Sequence, residues 1–386
     1  MTKPVDFLMA AGGVCYCLAS SFLYYVTFVQ FGFMHHMQNE LALPQGQIFT
    51  ALGLMLISGI FGGIIGGAWV DRIGASVKPL YARIGGLSIA AFGLALGAYE
   101  ITSTWMVMAF MAVLGLALGL LIVLLLTAFT KIVNMRIQGI VAGFACAACY
   151  FAANVIVALV DNPRTICTIN AFAIFVNPIV LALIWEISSE ISTEPLGKAS
   201  NSVKSFFIAL VPLALLVFLD TYTFYPVGQE SFGPNPIFSV DFDWHSSGVY
   251  HLLFALVSGL MFFTMGRRKF LQIGFVLMFL AAGLLIANHY HPLKGIILPT
   301  YSMLVVIYTI VFFTIWAEIL PTKHPGLWMG IGLAICGWCG SSFGIGAAMG
   351  VASVLDLPYP FIITAVLAPV GFALVTFLGK KTTTIN

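Results

Sequence analysis

The chain alternates long apolar runs with short polar interruptions, and the runs are too long for buried strands. Crossing the ~30 Å hydrocarbon layer of a bilayer takes about 20 apolar residues in a helix. Runs of that kind fall near residues 7–33, 47–70, 79–98, 104–128, 139–160, 166–186, 204–226, 247–265, 270–288, 295–317, 326–350 and 359–379, which predicts twelve membrane helices. An even number puts both termini on one side. Of the 16 Lys and Arg residues, all but Arg164 and Lys294 then lie on that side. One missed helix would scramble this asymmetry, and the positive-inside bias assigns the termini to the cytoplasm.

Composition sharpens the picture. Hydrophobic residues make up 61% and charged residues 8%, with a mean hydropathy of +1.05, against roughly 25% charged in soluble domains. A water-soluble fold is excluded, and the short loops leave no room for a large extramembrane domain. The net charge of +2 is scattered, without the basic stripe of a nucleic-acid binder. Seven cysteines, most of them inside apolar runs, do not make a disulfide framework. The first run lacks a cleavage site and is too long for a signal peptide, so it reads as a retained span. No Asn-x-Ser/Thr acceptor marks the outer loops, and a bacterial inner membrane is the expected location.

The polar stretch from Ser188 to Ser202 divides the chain almost equally. It predicts residues 1–187 as one six-helix half, 188–203 as a linker and 204–386 as a second half. A repeat supports the division. Gly67-Ala-Trp-Val-Asp71-Arg72-Ile-Gly74 follows the second run, and 192 residues later Gly259-Leu-Met-Phe-Phe-Thr-Met-Gly266-Arg267-Arg268-Lys269 follows the eighth. The glycine spacing matches, while Phe263 and Thr264 replace the Asp-Arg pair. Parallel repeats of this kind build many secondary transporters.

Gly67-x-x-x-Asp71-Arg72-x-Gly74 resembles the loop signature of the major facilitator superfamily. The resemblance implies that superfamily's all-α membrane fold, twelve helices as two six-helix pseudo-repeats, over nearly the whole chain. It also implies a cytoplasmic gate in which Gly67 and Gly74 allow close packing and Asp71 and Arg72 latch the halves. Gly266, Arg267 and Arg268 would serve in the second copy. Ala75-Ser-Val-Lys78 departs from the usual closely spaced basic residues after the signature, which weakens the expected first latch.

Ionisable groups within a membrane are functional candidates because their burial is costly. Asp220, in the seventh run, is the clearest, and is expected to carry a coupling proton. It lies about six residues, roughly 9 Å, from the outer end of its span, where a solvated carboxylate is the competing reading. In the first run Cys17, Ser20, Tyr24 and Thr27 recur at helical spacing, with Gln30 beyond them. Tyr301, Tyr308 and Trp316 form an aromatic stripe in the tenth, and Tyr222 follows Asp220. The resemblance places the first, fourth, seventh and tenth helices around a central cavity, so these residues are expected to bind substrate. Interhelical hydrogen bonding is the alternative for each. No span centre holds Lys or Arg, which argues against an anionic substrate.

Cys146-x-x-Cys149 and Cys336-x-x-Cys339 lie at nearly equivalent places in the two halves. A helix puts i and i+3 on one face, so each pair offers two sulfurs to a soft cation. Together with Met and His clusters they loosely resemble the superfamily's copper-importing branch. Helix packing is the competing reading. The chemistry thus points to a monomeric secondary transporter for a small neutral, zwitterionic or cationic solute, coupled to protons and embedded in membrane lipid, with no cofactor. A copper-like importer and a transporter-like sensor without net flux are the alternatives. No phosphate-binding loop appears, and no enzyme constellation is evident.

Overall fold

The computed structural model describes residues 4–74, 76–160, 162–191, 196–197, 201–227, 243–352, 354–355 and 358–383. Helix dominates, as it must where no water is available to satisfy backbone groups. Helix α1 comprises Pro4–Leu23 and is carried on by π-helical turns over Tyr24–Phe33 and His36–Glu40. Then come α2 (Gln45–Ile73), α3 (Lys78–Gly97), α4 (Thr104–Ile132) and α5 (Gln138–Leu159). Helix α6 runs through three consecutive pieces, Pro163–Phe175, Asn177–Leu183 and Trp185–Ile191. Its start is set by Asn162, whose side chain accepts from the Arg164 amide, with Pro163 at the first helical position.

Helix α7 is Val203–Val227. The next helical stretch, Trp244–Tyr290, is 47 residues long. Straight, it would measure about 70 Å, more than twice the hydrocarbon thickness. Gly266 breaks it at φ 72° and ψ 166°, giving α8 over 244–265 and α9 over 267–290. Helix α10 is Lys294–Thr314, followed by a short turn Trp316–Ile319. Helix α11 is Pro325–Leu333, a π-helical segment Ala334–Cys339 and Gly340–Ala352. Helix α12 is Tyr359–Thr383. Among the described residues twelve apolar spans are thus present once the long helix is divided, and the protein is integral to a membrane.

Both repeat glycines have a positive φ. Gly74 closes α2 at φ 69° and Gly266 closes α8 at φ 72°, a left-handed conformation that costs glycine nothing. Helix α6 extends to Ile191 and α7 starts at Val203, so helix continues slightly into the expected linker. Within the first half, α2 packs along α4, while α3 packs on α6. Within the second, α9 packs on α12, and α11 on α7.

Contacts between the halves determine what the site can do. At the face carrying both termini, here called the terminal face, α2 and α11 meet through glycines. A Cβ at Gly67 would stand 2.3 Å from the Gly326 oxygen, and one at Gly330 2.3 Å from the Gly63 oxygen. The two backbones touch, which only small residues permit. The contact reaches Gly59, which lies against the Trp338 ring, and beyond it Gly340–Ala352 packs on α7. A second seam joins α5 to α8, from Gly139 against Phe262 through Gly143 against Gly259 to Gly248 against Asn154.

Candidate substrate site and inter-half gate

Asp71 crosses from one half to the other. Its Oδ1 accepts the Gly326 amide at 2.7 Å and its Oδ2 the Leu327 amide at 3.0 Å. These are orphan donors in the first turn of α11, and a carboxylate there meets both the N–H groups and the positive end of the helix dipole. His324 sets the approach at φ 56° and stands 3.9 Å from Oδ2. Arg72 is exposed, with no ion pair to it among the described residues. In the second copy Arg267 pairs with Glu318 at 3.0 Å and Arg268 donates to the Thr376 carbonyl at 2.7 Å. Both contacts stay inside the second half.

Asp220 is buried at 6% exposure. Its Oδ2 accepts from the Tyr308 hydroxyl at 2.9 Å, and its Oδ1 has no hydrogen-bond partner among the described residues. Tyr301 stands beside it on α10, packed against Phe224 at 4.1 Å between ring centroids. The neighbouring Thr309 reaches across to the other half, where its hydroxyl meets that of Tyr150 on α5 at 3.0 Å. His251 of α8 lies over Tyr150 at 5.1 Å and edge-on to Tyr301 at 6.4 Å. Its Nδ1 is 2.9 Å from the Ser247 carbonyl oxygen. A carbonyl only accepts, so Nδ1 carries the proton and Nε2 is left as an acceptor. Asp220, three tyrosines, Thr309 and His251 therefore form one cluster where α5 of the first half meets α7, α8 and α10 of the second. Sequence reasoning missed Tyr150 and Thr309 and gave His251 no place beside Asp220.

The α1 stripe points elsewhere. Ser20 donates to Asn177 Oδ1 at 2.6 Å, and the Asn177 amide reaches Ser21 and Ser88 at 3.3 and 3.2 Å. The Cys17 sulfur faces the Asn177 carbonyl at 3.9 Å, Tyr24 donates to the Ala91 carbonyl, and Thr27 bonds back to Leu23. Of these four expected substrate ligands, Cys17, Ser20 and Tyr24 are turned toward α3 and α6, inside their own half, and the Thr27 hydroxyl is spent on its own helix. The Gln30 side chain lies outside the described residues. Toward the other half α1 presents Phe22, 4.7 Å from the Phe313 ring, and Tyr25, edge-on to Trp338 at 6.0 Å. Tyr25 and Trp338 both sit in π-helical segments, which often mark functional sites.

Tyr222 is buried, stacked on Phe218 at 5.9 Å, and its hydroxyl has no partner among the described residues. Trp316, expected in the α10 stripe, is fully buried against Gly332 and Phe312. Eight residues beyond Tyr308, at 3.6 residues per turn, it stands about 80° round the helix from that side chain.

The solved structures most informative about this arrangement are distant in sequence. The chain is similar to an outward-facing bacterial homologue of the iron transporter ferroportin, with TM-score 0.70 and 10% identity over 98% of this chain and all of that one. It is likewise similar to the major facilitator superfamily proton:xylose symporter XylE bound to 6-bromo-6-deoxy-D-glucose, with TM-score 0.64 and 14% identity over 97% and 94% of the two chains. The chain has the major facilitator fold. No sequence-family model and no curated protein matches it.

Within that fold the cysteine pairs fall into separate packing environments. Cys146 and Cys149 are buried on α5, near Cys15, which faces the Val141 carbonyl. Cys336 is buried against the Leu210 carbonyl of α7, with Cys339 half-buried. Among the described residues no three His, Cys, Asp or Glu side chains converge, so the two cysteine pairs do not come together in one donor set.

Proposed function

We propose that the protein is a secondary transporter that moves a small neutral, zwitterionic or cationic solute by alternating access, with proton coupling through Asp220. The observation that carries this reading is the juxtaposition of a closed seam and a buried, half-satisfied carboxylate. Asp71 holds α11 of one half against α2 of the other at the terminal face, while Asp220 faces the α5 junction between the halves with one oxygen open to a proton. A latch across the halves matters only if they separate. A lone carboxylate in a low-dielectric interior changes its solvation and its proton as access alternates.

Fourteen of the 16 basic residues accompany the termini, so the terminal face is assigned to the cytoplasm and the closed seam corresponds to a site open outward. The likeness to an outward-facing structure supports that assignment. A bacterial inner membrane and a monomer are the expected setting. The test is flux in proteoliposomes carrying a pH-sensitive dye, against sugars, amino acids, amines and nucleosides. Saturable uptake of one class that moves protons, with coupling lost in Asp220→Asn, is the expected result. Ligand binding without accumulation would make the protein a sensor instead.

A further inference from the structure

The chemistry around Asp220 narrows the solute. Its Oδ1 has no partner among the described residues although the residue is more than nine-tenths buried. Among the described residues the titratable groups around it are Tyr301 and Tyr308 from α10, Tyr150 next to Tyr308 from α5, and His251 of α8, a single imidazole that lies against the far side of Tyr150 at 5.1 Å. Among the described residues no Lys, Arg or His forms an ion pair with it. The remaining groups are acceptors and ring faces. His251 presents Nε2 as an acceptor because Nδ1–H is held by Ser247, and the tyrosine rings offer π faces.

A buried carboxylate without a fixed cation needs its charge neutralised, since an isolated ionised group in a low-dielectric interior is strongly disfavoured. A proton can do this, and so can a positively charged ligand. Ring faces attract cations through their quadrupole, and desolvation strengthens the attraction. An anionic solute would instead meet the Asp220 charge with no Lys or Arg paired to it among the described residues. A polyhydroxylated neutral solute would leave that charge to a proton alone.

We infer that this site binds an organic ammonium ion, with Asp220 as its counter-ion and the tyrosine rings as its walls. The inference rests on the transporter reading above and names its substrate class. Proton and ammonium occupy the same carboxylate in turn, so each ligand that enters a protonated site expels one proton. The coupling is therefore exchange rather than co-transport.

The test uses the full-length, detergent-purified protein and charge-paired probes: phenethylamine with phenethyl alcohol, and choline with its carbon isostere dimethylbutanol. Calorimetry reads affinity and, from the dependence of heat on buffer, proton release. At least one amine should bind at least about tenfold more tightly than its isostere, weaken as pH falls and release a proton. Asp220→Asn should abolish amine binding while the protein stays monodisperse, and Tyr150→Phe should leave it within about threefold because the ring face remains. His251→Ala and Tyr301→Leu should each weaken it about fivefold or more. Equal binding of amine and isostere, undiminished amine affinity in Asp220→Asn, or no binding of either amine at about 10 mM would overturn the inference. Proteoliposomes separate the two levels. Uptake of a sugar or other uncharged solute without amine exchange leaves a transporter and removes the ammonium site. Amine binding with no flux of any solute leaves the site and removes the transporter.

Discussion

Removing the Asp71 carboxylate should open the terminal face. The perturbation is well defined because the carboxylate accepts two amides of α11, at 2.7 and 3.0 Å, and its side chain is only 15% exposed. Loss of a capping side chain costs ~0.5–2 kcal/mol, and hydrogen bonds to charged groups run to ~1.5–3 kcal/mol. About 2 kcal/mol is a fair value for Asp71→Ala. The contact exists only when α2 and α11 are together, so the whole amount acts on the closed-to-open ratio, which shifts about 30-fold at 1.36 kcal/mol per decade. Asp71→Asn keeps one acceptor oxygen and loses the charge, and should shift the ratio by about tenfold or less. The assay is a spin-label distance between Arg136→Cys and Lys323→Cys, exposed positions of the two halves at this face. Cys15 and Cys339 are replaced and the other five cysteines are buried. The wild-type chain should give one short distance, and the Ala variant a second, longer population. An unchanged distribution in the Ala variant would refute the latch.

Three further outcomes follow from the same contacts. Gly67→Ala places a methyl 2.3 Å from the Gly326 oxygen and should lengthen the same distance, whereas Gly46→Ala, with nothing within 4 Å of its Cβ position, should not. Asn177→Ala removes contacts to Ser20, Ser21 and Ser88. At ~0.6 kcal/mol each this lowers stability by about 2 kcal/mol in a denaturation assay, with ligand affinity unchanged because the hub lies inside one half. Asp243 caps α8, accepting from the Ser246 amide at 3.0 Å, and hydrogen bonds from Ser246 hold its carboxyl below the usual value. A depressed carboxyl pKa gives a cap that is complete above the unfolded value of about 3.9 and lost only as pH falls through the lowered one. The protection of the Ser246 amide against exchange, relative to the unstructured rate at each pH, should therefore be constant from about pH 5 to 8, and low throughout in Asp243→Ala.

The spans, the repeat and the kink at Gly266 were legible because each is written in local pattern: run length, loop charge and a glycine spaced like its partner. Azimuth was not. A stripe such as Cys17, Ser20, Tyr24 and Thr27 reveals that a helix has a polar face but not which neighbour that face meets. Here it meets Asn177, at a break in α6 that only the fold brings opposite. Trp316 shows a second limit, since a spacing of eight residues from Tyr308 turns it about 80° round the helix, where it packs on Gly332. Asp220 stood out in the sequence as a lone charge in an apolar run. Tyr150 and His251 did not, because an aromatic or a neutral histidine in a span is ordinary until tertiary contact places it beside a carboxylate.

The two copies of the glycine motif have diverged in a way that suits unequal roles for the two seams. Gly67 and Gly259 both bring a helix into backbone contact across the halves, and Gly74 and Gly266 both end it in the left-handed region. Only the first copy keeps the acid. Phe263 takes its place in the second and lies exposed, while the first amides of α5 are served by the Asn134 carbonyl instead. The α2–α11 seam is short, ending at Gly59 and Trp338, and is closed by a charge that a single proton or a rearranged loop can release. The α5–α8 seam runs from Gly139 to Asn154, over 20 Å of helix at about 1.5 Å per residue, and is held by packing alone. Packing along a whole helix does not let go at one end without losing contacts throughout, whereas a capped helix end does. In the proposed cycle the halves therefore turn about α5 and α8 and part at α2 and α11. The Tyr150–Thr309 contact lies beside the axis, next to Asp220, where a change of ligand or proton meets the least displacement and the largest leverage on the gate.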